Sequence, residues 1–338
     1  SPWKRMFEFL KRFAKQSEEQ AVTAPDNPEL FLRNLEWTSV RRLDGQLQGD
    51  YKTLFRGSGL MLADLREYQL HDDVRHIDWN VTARMRTPYV REHLEDREIS
   101  AWFIMDLTGS IHFGSQSVSK LELATRYVAT LARLLTRHGN RVGAILYTGA
   151  ETLEKGVIQP RTGRKQVLHL IQQIRNSSVT PSTGQTDLNQ LFKLACSVIN
   201  RRSAVFLVSD FISAPGWEAA MNELATRHDV VAARLLDPSE IDIPKFGMML
   251  VEDIETGEQL FIDSDDRGFR ERYAKQAVIT EQKLRDAFSK AHVDCIELQT
   301  SEPLEQSLIR FLRLRKRKSQ RIQGRLPGTS SALRAHIV

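Results

Sequence analysis

The residues best placed to do chemistry lie in Ile99 to Gly114, ISAWFIMDLTGSIHFG. Asp106, Thr108 and Ser110 set a carboxylate and two hydroxyls at alternate positions, directly after the apolar run Ile99 to Met105. Hard oxygen donors of this kind suit Mg²⁺, Mn²⁺ or Ca²⁺ rather than zinc. Two later stretches offer oxygens in comparable places: Thr186-Asp187 opens a helical pattern, and Ser209-Asp210 ends an apolar run. The plain alternative is that Asp106 and Thr108 cap the following helix. Asp187 is a rival ligand, but capping its own helix is the role its position favours.

Positioning such donors requires buried strands that run out at a common edge. Ile99 to Met105 has the length and apolar continuity of a strand buried on both faces. Arg141 to Thr148, Ala204 to Val208, Val230 to Leu236 and Val293 to Leu298 repeat that pattern. Between them run helical patterns: Ser119 to His138, Gly163 to Ile174, the helix opened by Thr186-Asp187, Trp217 to Arg227, Arg267 to His292 and Leu304 to Leu314. Ser119 is placed to cap the first of these and Gly139-Asn140 to end it. Glu151 to Val157 reads as an edge hairpin, and Met248 to Ile262 as a hairpin turning at Glu255-Thr256-Gly257. Strands alternating with helices predict an α/β fold, a doubly wound and mostly parallel Rossmann-like sheet. The loops leaving its carboxyl edge would bring Asp106, Thr108, Ser110, Thr186 and Asp210 to one oxygen-rich cup.

Ahead of this body, Trp3 to Lys15 reads as a short amphipathic helix with Trp3, Met6, Phe7, Leu10 and Phe13 on one face and Lys and Arg around it. Such a helix either docks on the body of the protein, the preferred reading, or lies on a membrane surface. A polar linker follows, and Leu30 to Glu36 resumes a helical pattern. Residues 37–98 are rich in charge, aromatics and glycine, and read as short strands and loops rather than long helices. Asp73, Arg75, Asp78 and Arg84 are expected to pair among themselves over Trp79 and to hold this segment onto the sheet.

Within that segment Arg66-Glu67-Tyr68, Asp72-Asp73-x-Arg75-x-Ile77-Asp78-Trp79 and Ala83-Arg84 resemble the signature of one family. It is the von Willebrand factor A-like family associated with MoxR-type AAA+ ATPases, catalogued as domain of unknown function 58. The resemblance spans roughly residues 36–315; His71 departs from it, standing where the family usually has Gly. It implies a von Willebrand factor A-like fold carrying a metal-ion-dependent adhesion site. The Asp-x-Ser-x-Ser of that site falls on Asp106, Thr108 and Ser110, with Thr replacing the first Ser. Its second-loop Thr falls on Thr186 and its third-loop Asp on Asp210. It further implies a non-catalytic adaptor or co-chaperone that binds a protein client beside a MoxR-type ATPase. The ATP chemistry would be the partner's, since the chain has no G-x-x-x-x-G-K-[ST] loop.

Two readings from other classes compete. Asp106-Leu107-Thr108-Gly109-Ser110 also resembles the phosphorylation motif of haloacid-dehalogenase-type phosphotransferases, in which an Asp attacks phosphorus. Leu107 stands where that motif has Lys, and Thr108 where its soluble members have an acid. Nucleic-acid binding through Arg313 to Arg321 would give salt-dependent phosphate affinity, but the run holds no aromatic for stacking.

Composition agrees with a soluble body: the hydrophobic fraction is 41% and the charged fraction 27%. No apolar run reaches the roughly 20 residues of a membrane span, and no secretory pattern is present. Cys196 and Cys295 lack metal-ligand spacing and read as buried thiols, so the expectation is a cytoplasmic protein. The net charge of +5 is uneven, because Arg313 to Val338 holds eight Lys and Arg and no acid. The expected organisation is therefore residues 1–35 as helix and linker, 36–98 as charged β-rich extension, 99–312 as von Willebrand factor A-like domain with C-terminal helices, and 313–338 as basic tail.

Overall fold

The computed structural model describes residues 27–47, 65–69, 74, 77, 79, 82–83, 87–91, 100–112, 118–149, 156–177, 186–241, 248–252, 259–263 and 265–323. The predicted Trp3 to Lys15 helix, His71, and the charged side chains of Asp73, Arg75, Asp78 and Arg84 fall outside them.

A six-stranded sheet carries the fold, in the order β10-β7-β6-β3-β4-β5. Its members are β3 (Ser100–Asp106), β4 (Arg141–Tyr147), β5 (Val157–Arg161), β6 (Ala204–Ser209), β7 (Asp229–Leu236) and β10 (Asp294–Gln299). All neighbours are parallel except β4 and β5. Strand order reverses at β3, which β4 and β6 flank, so the sheet is doubly wound as expected and its switch point lies at the end of β3. β3 buries both faces. Ala101, Phe103 and Met105 enter one core, while Trp102 and Ile104 enter the other.

The first core is closed by α3 (Lys120–Arg137) and α4 (Arg164–Ser177), and the second by α5 (Leu188–Val198) and α6 (Glu218–Arg227). Ser119 caps α3 by accepting from the Glu122 amide, and Asp187 caps α5 by accepting from those of Asn189 and Gln190. The remaining described helices include α7 (Pro238–Ile241), α8 (Arg267–Lys290) and α9 (Leu304–Gln323). Two-stranded pairs stand apart: β1 (Leu65–Glu67) with β2 (Tyr89–Arg91), and β8 (Met248–Glu252) with β9 (Gln259–Asp263).

Four expectations need correction. First, the edge strand is Val157–Arg161 and so runs past the expected Val157; residues 151–155 of the expected hairpin lie outside the described residues. Pro160 argues against a strand in sequence, but an edge strand tolerates a residue with no N–H to donate. At its start Gly156 lies so close to β4 that a Cβ there would stand 1.9 Å from the Leu146 carbonyl oxygen. Second, the segment after Glu36 is helical: α1 (Pro28–Leu35) passes through a π-helical turn, Glu36–Val40, into α2 (Arg41–Leu47). Leu35 and Val40 are both buried yet five residues apart, and the wider turn brings them onto one face. Third, α9 continues to Gln323, so the basic run Arg313 to Arg321 is the second half of a helix. Arg315 turns inward, buried, and donates to Asp294 at 3.0 Å. Fourth, Trp79 is 69% exposed rather than packed beneath a charge network.

Candidate metal centre

The switch point assembles the cup from three loops. Asp106 closes β3, and the chain turns into a short 3₁₀ helix, Gly109–His112, that carries Ser110. Thr186 lies just ahead of the α5 cap, and Asp210 follows β6. Hydrogen bonds join Asp106, Thr108 and Thr186, Asp210 follows the Ser209 that bonds Asp106, and Ser110 lies two residues beyond Thr108. Asp106 Oδ1 accepts from the Thr108 hydroxyl at 2.7 Å and from the Thr108 amide at 3.0 Å. The Thr108 and Thr186 hydroxyls are 2.6 Å apart. Asp106 Oδ2 accepts from the Ser209 hydroxyl at 2.9 Å. All are deeply placed: Asp106, Thr108, Ser110 and Asp210 are buried, and Thr186 is the most open at 9%.

Asp210 is aimed by a strained turn. The following residue, Phe211, takes a left-handed φ of 58°, uncommon outside glycine. That turn lets the Ile212 amide donate to Asp210 Oδ1 at 3.0 Å and the Phe211 amide donate to Ser209 Oγ at 2.9 Å. Packing pins it, because the Phe211 ring lies against Trp217 and Phe288 at centroid distances of 5.7 and 5.0 Å.

Sequence reasoning missed two members. Lys120, the first residue of α3, is fully buried and donates from Nζ to Asp210 Oδ2 at 3.1 Å and to Glu240 Oε1. Glu240, on α7, accepts from the Asp237 amide with its other oxygen, and its carbonyl accepts from the Tyr273 hydroxyl at 2.6 Å. Burial works against the charge on Lys120, but Asp210 and Glu240 outweigh it and raise its pKa. Burial raises the pKa of Glu240, and the charge of Asp210 adds to that while Lys120 opposes it. Burial, reinforced by repulsion from Asp210, pushes Asp106 up to about 6 in spite of its hydrogen bonds from Thr108 and Ser209. Only one signal could have found Lys120, its place at the start of an otherwise apolar stripe. Nothing local marks Glu240.

One polar atom of the cup is unspent. Ser110 Oγ is buried with no hydrogen-bond partner among the described residues. Leaving a buried hydroxyl unpaired costs about 1–3 kcal/mol, so its position asks for a ligand. An oxygen-seeking divalent cation fits this donor set, with Asp106, Thr108, Ser110 and Thr186 to hold it. The set is a mixed one, since no group of three or more Asp, Glu, His or Cys suited to a metal occurs among the described residues.

The family model described as "Protein of unknown function DUF58" matches residues 64–283. The chain belongs to this family. Uncharacterized proteins of Mycobacterium bovis and Mycobacterium tuberculosis are each 31% identical over 294 residues, covering 86% of this chain and 92% of theirs. Among solved structures, an aerotolerance-related membrane protein from Bacteroides fragilis aligns with 64% of this chain and 99% of its own, at 14% identity and a TM-score of 0.41. The conserved hypothetical protein BatB from Bacteroides thetaiotaomicron covers 67% and 98%, at 13% identity and a TM-score of 0.36. Among the described residues of this DUF58 chain, no helix is long and apolar enough to cross a membrane.

Proposed function

We propose that this DUF58 protein is a non-catalytic, cation-dependent protein-binding module of the cytoplasm. In this reading it serves as an adaptor or co-chaperone for a MoxR-type AAA+ ATPase and a protein client. The observation that carries the binding role is the contact of Asp106, Thr108 and Thr186 beside Ser110, whose hydroxyl is unpaired among the described residues. The ATPase partnership rests on the family signature, Arg66-Glu67-Tyr68 through Ala83-Arg84.

Bound there, Mg²⁺ or Mn²⁺ would supply positive charge and an open coordination position for a partner's carboxylate. Asp106 gives the site its charged donor, and the three hydroxyls add neutral oxygens. Asp210 frames the cup, but its charge is already paired with the Lys120 ammonium. A nucleophilic role for Asp106 draws no support from its surroundings, since Leu107, which stands where the phosphotransferase motif has Lys, is buried in the apolar core.

A pull-down of a MoxR-type ATPase with this protein tests the reading. Binding is expected to fall in EDTA, to return with Mg²⁺, and to be weakened by Ser110→Ala without loss of fold. Binding indifferent to EDTA, with the metal shown to be stripped, would place the contact elsewhere.

A further inference from the structure

We infer that Lys120 is the resident counter-ion of the cup and sets how tightly the cup holds a divalent cation, by keeping Asp210 out of the donor set. The inference rests on the reading of the cup as a cation site. Its grounds are geometric. The Lys120 ammonium is 3.1 Å from Asp210 Oδ2, and the other Asp210 oxygen accepts from the Ile212 amide. Asp106 accepts only from neutral hydroxyls and an amide, whereas the charge of Asp210 is already paired with a buried ammonium that an arriving cation would have to repel or displace.

The lysine is itself held from behind. Glu240 grips it from α7, and Glu240 is tied to the Asp237 amide and the Tyr273 hydroxyl. Asp237, fully buried, accepts in turn from the Thr300 hydroxyl at 2.8 Å. The ammonium therefore cannot simply swing aside when a cation arrives.

Its position also opposes local preference. Lys120 is the first residue of α3, the positive end of the helix dipole, where an acid is favoured and a cation is not. A residue that breaks a local rule inside a buried cluster points to a role other than building the helix. With Asp210 withheld, a cation in the cup keeps Asp106 as its charged ligand and stays electron-poor. That is the state in which a carboxylate from another protein adds most.

The test is Mn²⁺ binding to the full chain, by calorimetric titration and by the electron paramagnetic resonance of bound Mn²⁺. Lys120→Met/Glu240→Gln removes one positive and one negative charge, so the formal charge of the cluster is unchanged. A gain in affinity then reports the release of Asp210 rather than a change in total charge. The double variant is expected to bind Mn²⁺ at least ten-fold more tightly than the wild type. Lys120→Gln/Glu240→Gln is expected to move the same way and replaces the first pair if that pair does not fold. Equal or weaker affinity in the folded double variant overturns the inference. If the wild type still binds there, and Asp106→Asn does not, the cation reading survives alone. Binding by the double variant with none by the wild type supports the role of Lys120 and removes the cation from the native protein. Silence from both chains overturns the two together.

Discussion

Asp106→Asn, measured without metal, should make this protein more stable at alkaline pH. Asp106 is 1% exposed, and burial together with repulsion from Asp210 pushes it up to about 6 from an ordinary 3.8. The native state thus holds its proton more tightly than the unfolded chain. The stability contributed is complete below the unfolded value and is lost as pH rises through the folded one. A shift of about two units corresponds to roughly 3 kcal/mol, borne by the ionised wild type at pH 8. Asn escapes that cost. Its carbonyl oxygen can accept from the Thr108 amide and hydroxyl, while its amide group faces Ser209 Oγ, whose own proton then loses its acceptor at a cost of about 1 kcal/mol. The net gain is about 2 kcal/mol at pH 8, turning into a slight loss near pH 4.

Urea denaturation of both chains in EDTA, at half-unit steps from pH 4.5 to 8.5, reads this directly. The stability difference should widen with pH and level off above about 7. Addition of Mg²⁺ should then stabilise the wild type and leave the variant unmoved. A variant less stable than the wild type by the same amount at every pH would refute the reasoning. Asp106 would in that case be a structural acceptor for the turn at Thr108, with no charge tension for a cation to relieve.

Other outcomes follow from the same geometry. Ser110→Ala should gain about 1 kcal/mol in metal-free melts by deleting an unpaired buried hydroxyl, and should lose at least ten-fold in Mg²⁺ affinity by titration. Arg315→Ala, which removes the buried guanidinium that donates to Asp294, should cost about 3 kcal/mol in chemical denaturation, where a solvated basic tail would have cost nothing. Trp79→Ala, at an exposed site, should stay within about 0.5 kcal/mol of the wild type, and a larger loss would mean that the indole is packed after all.

The sheet was legible because its strands are buried on both faces. AWFIMD, VGAILY and AVFLVS read as nearly unbroken apolar runs, a pattern few other elements produce. The carboxyl-edge rule then placed Asp106, Thr186 and Asp210 together without any knowledge of their distances, and Asp187 proved to be the cap its position suggested. What stayed hidden depended on contacts remote in sequence. Lys120 meets a residue 90 positions away and another 120 away, so its own stretch of sequence does not announce it. Arg315 was lost for the same reason. Its helical stripe continues from Leu304, Leu308 and Phe311, but six basic residues between Arg313 and Arg321 masked the periodicity.

The missed residues change what the cup means, because its charge is not a local property. Asp106 and Asp210 alone would make a pair of acids forced together at a buried strand edge, a costly arrangement that a cation would correct. With Lys120 and Glu240 the arrangement becomes a chain that runs from β3 past β6 to α7. It continues through Asp237, beyond the end of β7, to Thr300, which follows β10 and whose amide donates to the Leu236 carbonyl at 3.0 Å. A cation bound at Asp106 need not move a backbone to be felt along this edge, since its charge attracts Asp210, repels Lys120 and so loosens the pair they make. A site built only for tight metal storage would gain nothing from an internal ammonium. One that must remain short of negative charge until a partner's acid arrives has a physical reason to keep it.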